Sequence, residues 1–155
     1  MKALIVYDSV YGNTEKIAIA IAGSMNQFGE VRVLQVSNTN PSEMEFIDLL
    51  AIGSPTQGGR PTLAIQDFLG RIPESAIKGI KIATFDTRLS TRLVRIFGYA
   101  AGRIASTLKD KGGRIVTPPE GFFVNGKEGP LQDGEEERAA TWAKEIAAIS
   151  RSAVK

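Results

Sequence analysis

Short runs of nearly unbroken apolar residues alternate along this chain with segments whose apolar residues fall on a helical stripe, and that alternation leaves few folds open to it. A strand covered on both faces carries apolar side chains on both, so it loses the in-and-out alternation of a half-exposed sheet. Ala3, Leu4, Ile5, Val6 and Tyr7 form the first such run. Residues 46–52 and 80–85 form two more, and 31–36 is predicted as a further strand. Residues 114–116 and 122–124 are expected as two halves of a fifth strand, interrupted at Pro118-Pro119 because proline cannot donate to a ladder.

Between these runs the period changes. Ile17, Ile21, Met25 and Phe28 share one stripe over 13–28, and Gly29 ends it. Ile65, Phe68, Leu69 and Ile72 mark a helix over 62–71, stopped by Pro73. Ala101, Ile104, Ala105 and Leu108 point inward over 99–111. Trp142, Ile146 and Ile149 form the stripe of a last helix over 134–150, with glutamates in its first turns where the helix dipole favours them. Residues 86–98 fit either a long loop or an early helix start. Right-handed crossovers on this pattern give a doubly wound α/β fold, a five-stranded parallel sheet in the order 2-1-3-4-5, as one domain over 1–155. Ligands of such sheets bind outside the carboxyl ends of strands one and three, where the winding reverses.

Composition narrows the chemistry. With no cysteine and no histidine, the chain offers no disulfide, no thiolate nucleophile and no soft metal site. No metal ligands and no catalytic side chains are assigned, so redox chemistry would have to come from a bound cofactor. No apolar run approaches the ~20 residues that span a bilayer, and no cleavable leader is evident, so a cytoplasmic protein away from membranes is expected. Net charge is +2 with the signs segregated: bases dominate 88–114 and acids 120–145. A basic face suits an acidic protein partner; no nucleic-acid motif accompanies it, and none is expected to bind.

Three polar loops follow three of the strands. The first is Asp8-Ser9-Val10-Tyr11-Gly12-Asn13-Thr14, leading straight into a helix. Hydroxyls, backbone N–H groups and a helix N-terminus aimed at one point suit a phosphate. The spacing is neither that of a Walker loop nor that of the dinucleotide fingerprint. Asp8 is expected to cap the turn and point away. The second loop is Gly53-Ser54-Pro55-Thr56-Gln57-Gly58-Gly59-Arg60-Pro61, where tandem glycines let a backbone approach a flat ligand. The third is Asp86-Thr87-Arg88-Leu89-Ser90-Thr91. Together they predict one binding site at one sheet edge.

Over essentially its whole length the chain resembles the flavodoxins. The segments carrying the resemblance are Val6-Tyr7-Asp8-Ser9-Val10-Tyr11-Gly12-Asn13-Thr14-Glu15-Lys16-Ile17-Ala18, Ile52-Gly53-Ser54-Pro55-Thr56 and Phe85-Asp86-Thr87-Arg88. The resemblance implies a flavodoxin-like fold with one FMN. It implies that Ser9, Val10, Tyr11, Gly12, Asn13 and Thr14 wrap the phosphate without a cationic side chain. It further implies that Ser54, Pro55, Thr56, Gln57, Gly58 and Gly59, with Thr87, Arg88 and Leu89, flank the ribityl chain and the ring. Many flavodoxins stack an aromatic from the second loop on the flavin; here Gln57-Gly58-Gly59 stands there, and Tyr11, Phe97, Tyr99 and Phe122 are the nearby aromatics by sequence order.

The expected function is electron transfer between redox partner proteins, one of them with an acidic docking surface, by a monomer. A cationic Arg88 beside the ring is expected to stabilise the reduced anionic flavin. The alternative is an FMN-dependent NAD(P)H oxidoreductase acting on quinones or similar acceptors, with the tandem glycines leaving a flavin face open.

Overall fold

In the computed structural model, which describes residues 1–90 and 98–152, the N-terminal apolar run is strand β1 (Lys2–Tyr7), and every residue after Lys2 is buried. Its side chains divide by parity. Ala3, Ile5 and Tyr7 enter the core on one face of the sheet, and Leu4 and Val6 enter the core on the other. Full burial of each large aliphatic chain contributes about 1.5–3 kcal/mol, so this strand commits both layers at once.

β1 pairs in parallel with β2 (Glu30–Gln35) and with β3 (Leu49–Pro55). β3 pairs with β4 (Lys81–Leu89). The last position is shared. β5 (Arg114–Ile115) pairs with Lys81 and Ile82 at the start of β4, and β6 (Glu120–Val124) pairs with the far end of β4, from Phe85 to Leu89. The order β2-β1-β3-β4-β5 is the predicted one, and β6 is an additional strand on β4 beyond the proline pair.

Among the described residues five helices cover the sheet: α1 (Asn13–Met25), α2 (Leu63–Arg71), the four-residue α3 (Glu74–Ile77), α4 (Ala100–Asp110) and α5 (Glu135–Ser152). Ile17, Ile21 and Met25 of α1 share a core with Trp142, Ala143 and Ile146 of α5. Ile65 and Phe68 of α2 share the opposite core with Ile104 and Leu108 of α4. Phe85, Phe122 and Trp142 meet edge to face, with centroids 5.9–6.5 Å apart. Gly53 makes room for this cluster, since a Cβ there would stand 2.1 Å from the Phe85 ring.

Three expectations are corrected. The strand predicted over 46–52 starts at Leu49 and runs on to Pro55. Phe46 lies outside it, 85% exposed with φ 65°, while Met44 of the preceding 3₁₀ turn is buried. The fourth strand continues past Phe85 to Leu89, so the start of the undecided 86–98 segment is strand; residues 91–97, including Phe97, lie outside the described residues. Ile149 is 40% exposed, because the buried line of α5 runs through Trp142, Ala143, Ile146, Ala147 and Ser150.

β6 is tied to α5 by charge. The Phe123 N–H donates to Glu135 Oε2 at 2.7 Å, and Arg138 bridges Glu135 and Glu120. The Arg138 guanidinium also lies 4.5 Å from the Phe122 ring centroid. Burial alone would raise the Glu135 carboxyl, but Arg138 and the Phe123 N–H more than offset it and hold it below its ordinary range. This corner fixes where the β6–α5 connection leaves the sheet.

Candidate cofactor site

A cavity of about 570 Å³ opens at the carboxyl ends of β1, β3 and β4, a volume typical of a small-molecule site. All the residues predicted to hold a ligand line it except Gly12 and Ser54, and two unpredicted residues, Val124 and Lys127, line it as well.

The first loop is built from inside. The Asp8 carboxylate accepts the Ser9 N–H at 2.9 Å, within its own turn. Ser9 Oγ accepts the N–H groups of Gly12 at 3.1 Å and Glu15 at 3.3 Å. Gly12, at φ 89°, is the N-cap of α1, a conformation open to glycine at little cost. The N–H groups of Val10, Tyr11, Asn13 and Thr14 have no acceptor among the described residues. Four unspent donors at a helix N-terminus are a ready anion cradle. Val10 and Tyr11 are 51% and 46% exposed at its rim.

The other two loops are joined to it and to each other. Thr14 Oγ1 and Thr87 Oγ1 share a buried hydrogen bond of 2.8 Å, linking the first loop to β4. Thr56 Oγ1 accepts the Ala100 N–H at 3.0 Å, and Asp86 Oδ2 accepts the Ala101 N–H at 2.9 Å. Two of the orphan donors of α4 are thus capped from the ends of β3 and β4. Gly58 and Gly59 turn at φ 56° and 77°, closed by Gln57 and Arg60 exchanging backbone hydrogen bonds. Ser54 is fully buried and structural: its hydroxyl donates to the Pro55 carbonyl and accepts the Thr62 N–H.

Arg88 departs most from expectation. Its guanidinium forms a bidentate pair with the fully buried Asp86, at 2.7 and 2.8 Å, so it is not the free cation anticipated beside the ring. One side faces the Tyr99 ring at 3.4 Å from its centroid, and on another Gly121 gives it room, since a Cβ there would stand 2.2 Å away. Burial pushes the Asp86 carboxyl up, against the pull of Arg88, the Ala101 N–H and Thr56. Tyr99 is thereby committed to Arg88, and Phe122 is fully buried in the core, which leaves Tyr11 as the aromatic lining the cavity among the described residues.

Of the two residues missed in the sequence, Val124 ends β6 and Lys127 lies in the β6–α5 connection. The Asn13 side-chain amide donates to the Glu128 carbonyl at 3.2 Å, and Gly129, at φ 105°, packs so closely on that amide that a Cβ would lie 2.7 Å away. The signal available was Gly126-Lys127-Glu128-Gly129-Pro130, a turn-rich segment directly after a predicted strand.

A second cavity, of about 350 Å³, lies between α2 and α4 and is lined by Arg60, Arg103 and Lys111. Arg103 Nε donates to the Gly59 carbonyl at 2.7 Å, and Lys111 Nζ to the Ile72 carbonyl at 2.6 Å. It therefore adjoins the glycine turn of the first cavity.

A doubly wound sheet with one glycine-rimmed cavity at its switch point, and an anion cradle at the end of that cavity, defines a nucleotide-cofactor-binding α/β protein. A family model described as Flavodoxin matches residues 5–142, and the chain belongs to the flavodoxin family. Diflavin flavoprotein A 4 of Synechocystis sp. is 31% identical over 126 residues, which is 74% of this chain and 19% of the relative. Probable flavodoxin 1 of Bacillus subtilis is 30% identical over 86 residues, 54% of each. The chain thus spans well under two thirds of either relative. A solved flavodoxin from the domain Archaea superposes with a TM-score of 0.83 at 22% identity, covering 97% of this chain and 99% of that one.

Proposed function

We propose that this protein holds one FMN in the first cavity and carries electrons between redox partner proteins. The observation that carries the reading is the set of four N–H groups, from Val10, Tyr11, Asn13 and Thr14, left without protein acceptors in a cavity walled by glycine turns. Aligned donors of this kind bind a phosphate dianion through charge-assisted hydrogen bonds. Thr14 and Thr87 fix the floor, Pro55 to Gly59 and Arg88 to Leu89 form the walls, and Gly12 and Ser54 act indirectly by shaping their loops. Bound FMN supplies one- and two-electron exchange, which no side chain of this chain provides.

The partner reading rests on charge. Arg60, Arg103 and Lys111 line a groove beside the glycine turn, which favours a partner with an acidic docking surface. The protein is proposed to act as a monomer in the cytoplasm. Among the described residues no helix is long and apolar enough to cross a membrane.

The deciding experiment is titration of flavin-free protein with FMN, followed by assay of NADH and NADPH oxidation with a quinone acceptor. A one-to-one yellow complex with negligible turnover until a separate reductase is added is the expected result. Failure to bind FMN would remove the reading, and rapid unaided turnover would replace it with an enzyme.

A further inference from the structure

We propose that Lys127 is the cation of the phosphate end of this site, so that the phosphomonoester is recognised by one charged side chain besides the loop donors. The inference rests on the FMN reading and adds a residue to it. Lys127 lines the same cavity as Ser9, Asn13 and Thr14 although it lies more than a hundred positions along the chain. Its place there is fixed by its neighbours. The buried Asn13 amide, at the first residue of α1, donates to the carbonyl of Glu128, and Gly129 packs against the same amide. The turn carrying Lys127 is therefore docked on the cradle itself.

Charge balance gives Lys127 its role. The cradle segment 8–15 contains two acids, Asp8 and Glu15, and no base. Asp8 is engaged by the Ser9 N–H, and Glu15 accepts the Tyr7 hydroxyl at 2.6 Å. A dianion placed there meets unfavourable charge that neutral donors only partly offset. Among the described residues Lys127 makes no ion pair and is exposed, so its ammonium is available to an incoming phosphate. Arg88, the other cation lining the cavity among the described residues, is already paired with Asp86.

The test compares FMN with riboflavin, which lacks the phosphate, by quenching of flavin fluorescence on flavin-free protein. Lys127→Met is expected to weaken FMN binding about tenfold at low ionic strength, the scale of one charge-assisted contact. Riboflavin affinity should not change, Lys127→Arg should restore most of the loss, and added salt should shrink the difference. Unchanged FMN affinity in Lys127→Met would overturn the proposal. So would equal weakening of both flavins, which assigns Lys127 to shaping the turn. A wild-type protein that binds FMN no better than riboflavin would instead remove the phosphate cradle, a result separable from either outcome in the variant.

Discussion

Asp86 and Arg88 stand two residues apart on β4 and meet in a buried bidentate ion pair, with the same carboxylate also accepting the Ala101 N–H that begins α4. Residues at i and i+2 of a strand project from one face, so the pairing follows once the strand extends this far. The pair joins three things: the wall of the cavity, the N-terminus of a helix, and the Tyr99 ring against the guanidinium.

Removing one partner strands the other. Asp86→Ala leaves Arg88, whose side chain is only 12% exposed, without its counter-charge, and leaves the Ala101 N–H without its acceptor. Losses from broken buried pairs run to about 3–5 kcal/mol. We expect urea unfolding of the flavin-free variant to report a loss of that order. A loss within the scatter of surface substitutions would show that the pair holds nothing together.

The same pair sets the charge on the cavity wall. Because Asp86 cancels Arg88, the wall contributes little net potential, and the stabilisation of reduced flavin expected of a lone arginine is damped. Asp86→Asn keeps the shape and removes the negative charge. The net positive wall then favours the reduced anionic flavin, so its couple should move to less negative values by on the order of tens of millivolts. Redox titration of FMN-loaded wild type and variant measures this, and a shift in the opposite direction would refute it.

Tyr7 supplies a pH signature of the first loop. Burial, reinforced by the Glu15 carboxylate that accepts its hydroxyl, pushes its phenol up to about 12. The unfolded chain releases this proton near pH 10 and the folded one does not. The resulting stability is complete below pH 10 and is lost as pH rises toward 12. Ultraviolet titration of the flavin-free protein should show a tyrosine ionisation well above pH 10, and Tyr7→Phe should abolish that late step. A late step that survives in Tyr7→Phe, or no late step in the wild type, would contradict it.

The frame of the fold was open to sequence reasoning because burial on both faces leaves a mark on each strand. The runs at 3–7 and 80–85 could only be central, and the three polar loops had to share an edge once the crossovers were right-handed. What stayed hidden depended on contacts between distant segments. Ser54 sits in a glycine-proline loop by composition, yet its hydroxyl is spent on Thr62 and Pro55. Lys127 gives no local sign of its position, because the Asn13 and Glu128 that hold its turn in place are 115 residues apart. Arg88 looked free because 86–98 showed no strand period, and only the extended β4 brings Asp86 beside it. Phe46 looked buried because an apolar run carries no label for its first residue.

The basic groove makes a prediction about electron exchange that needs no knowledge of the natural partner. Arg60, Arg103 and Lys111 adjoin the glycine turn, and Lys127 lines the cavity itself, so the proposed approach to the cofactor carries these four bases. A small anionic oxidant such as ferricyanide should be steered to it, and screening should weaken that attraction over a Debye length of about 10 Å at 0.1 M salt. We expect the oxidation rate of the reduced FMN-loaded protein, followed by stopped flow, to fall as ionic strength rises. Arg60→Glu should flatten the dependence while leaving the rate at high salt nearly unchanged, since Arg60 is exposed and holds its turn through the backbone. A rate that climbs with salt would mean that Asp8, Glu15 and Glu128 dominate the approach, and would favour a basic partner in place of an acidic one.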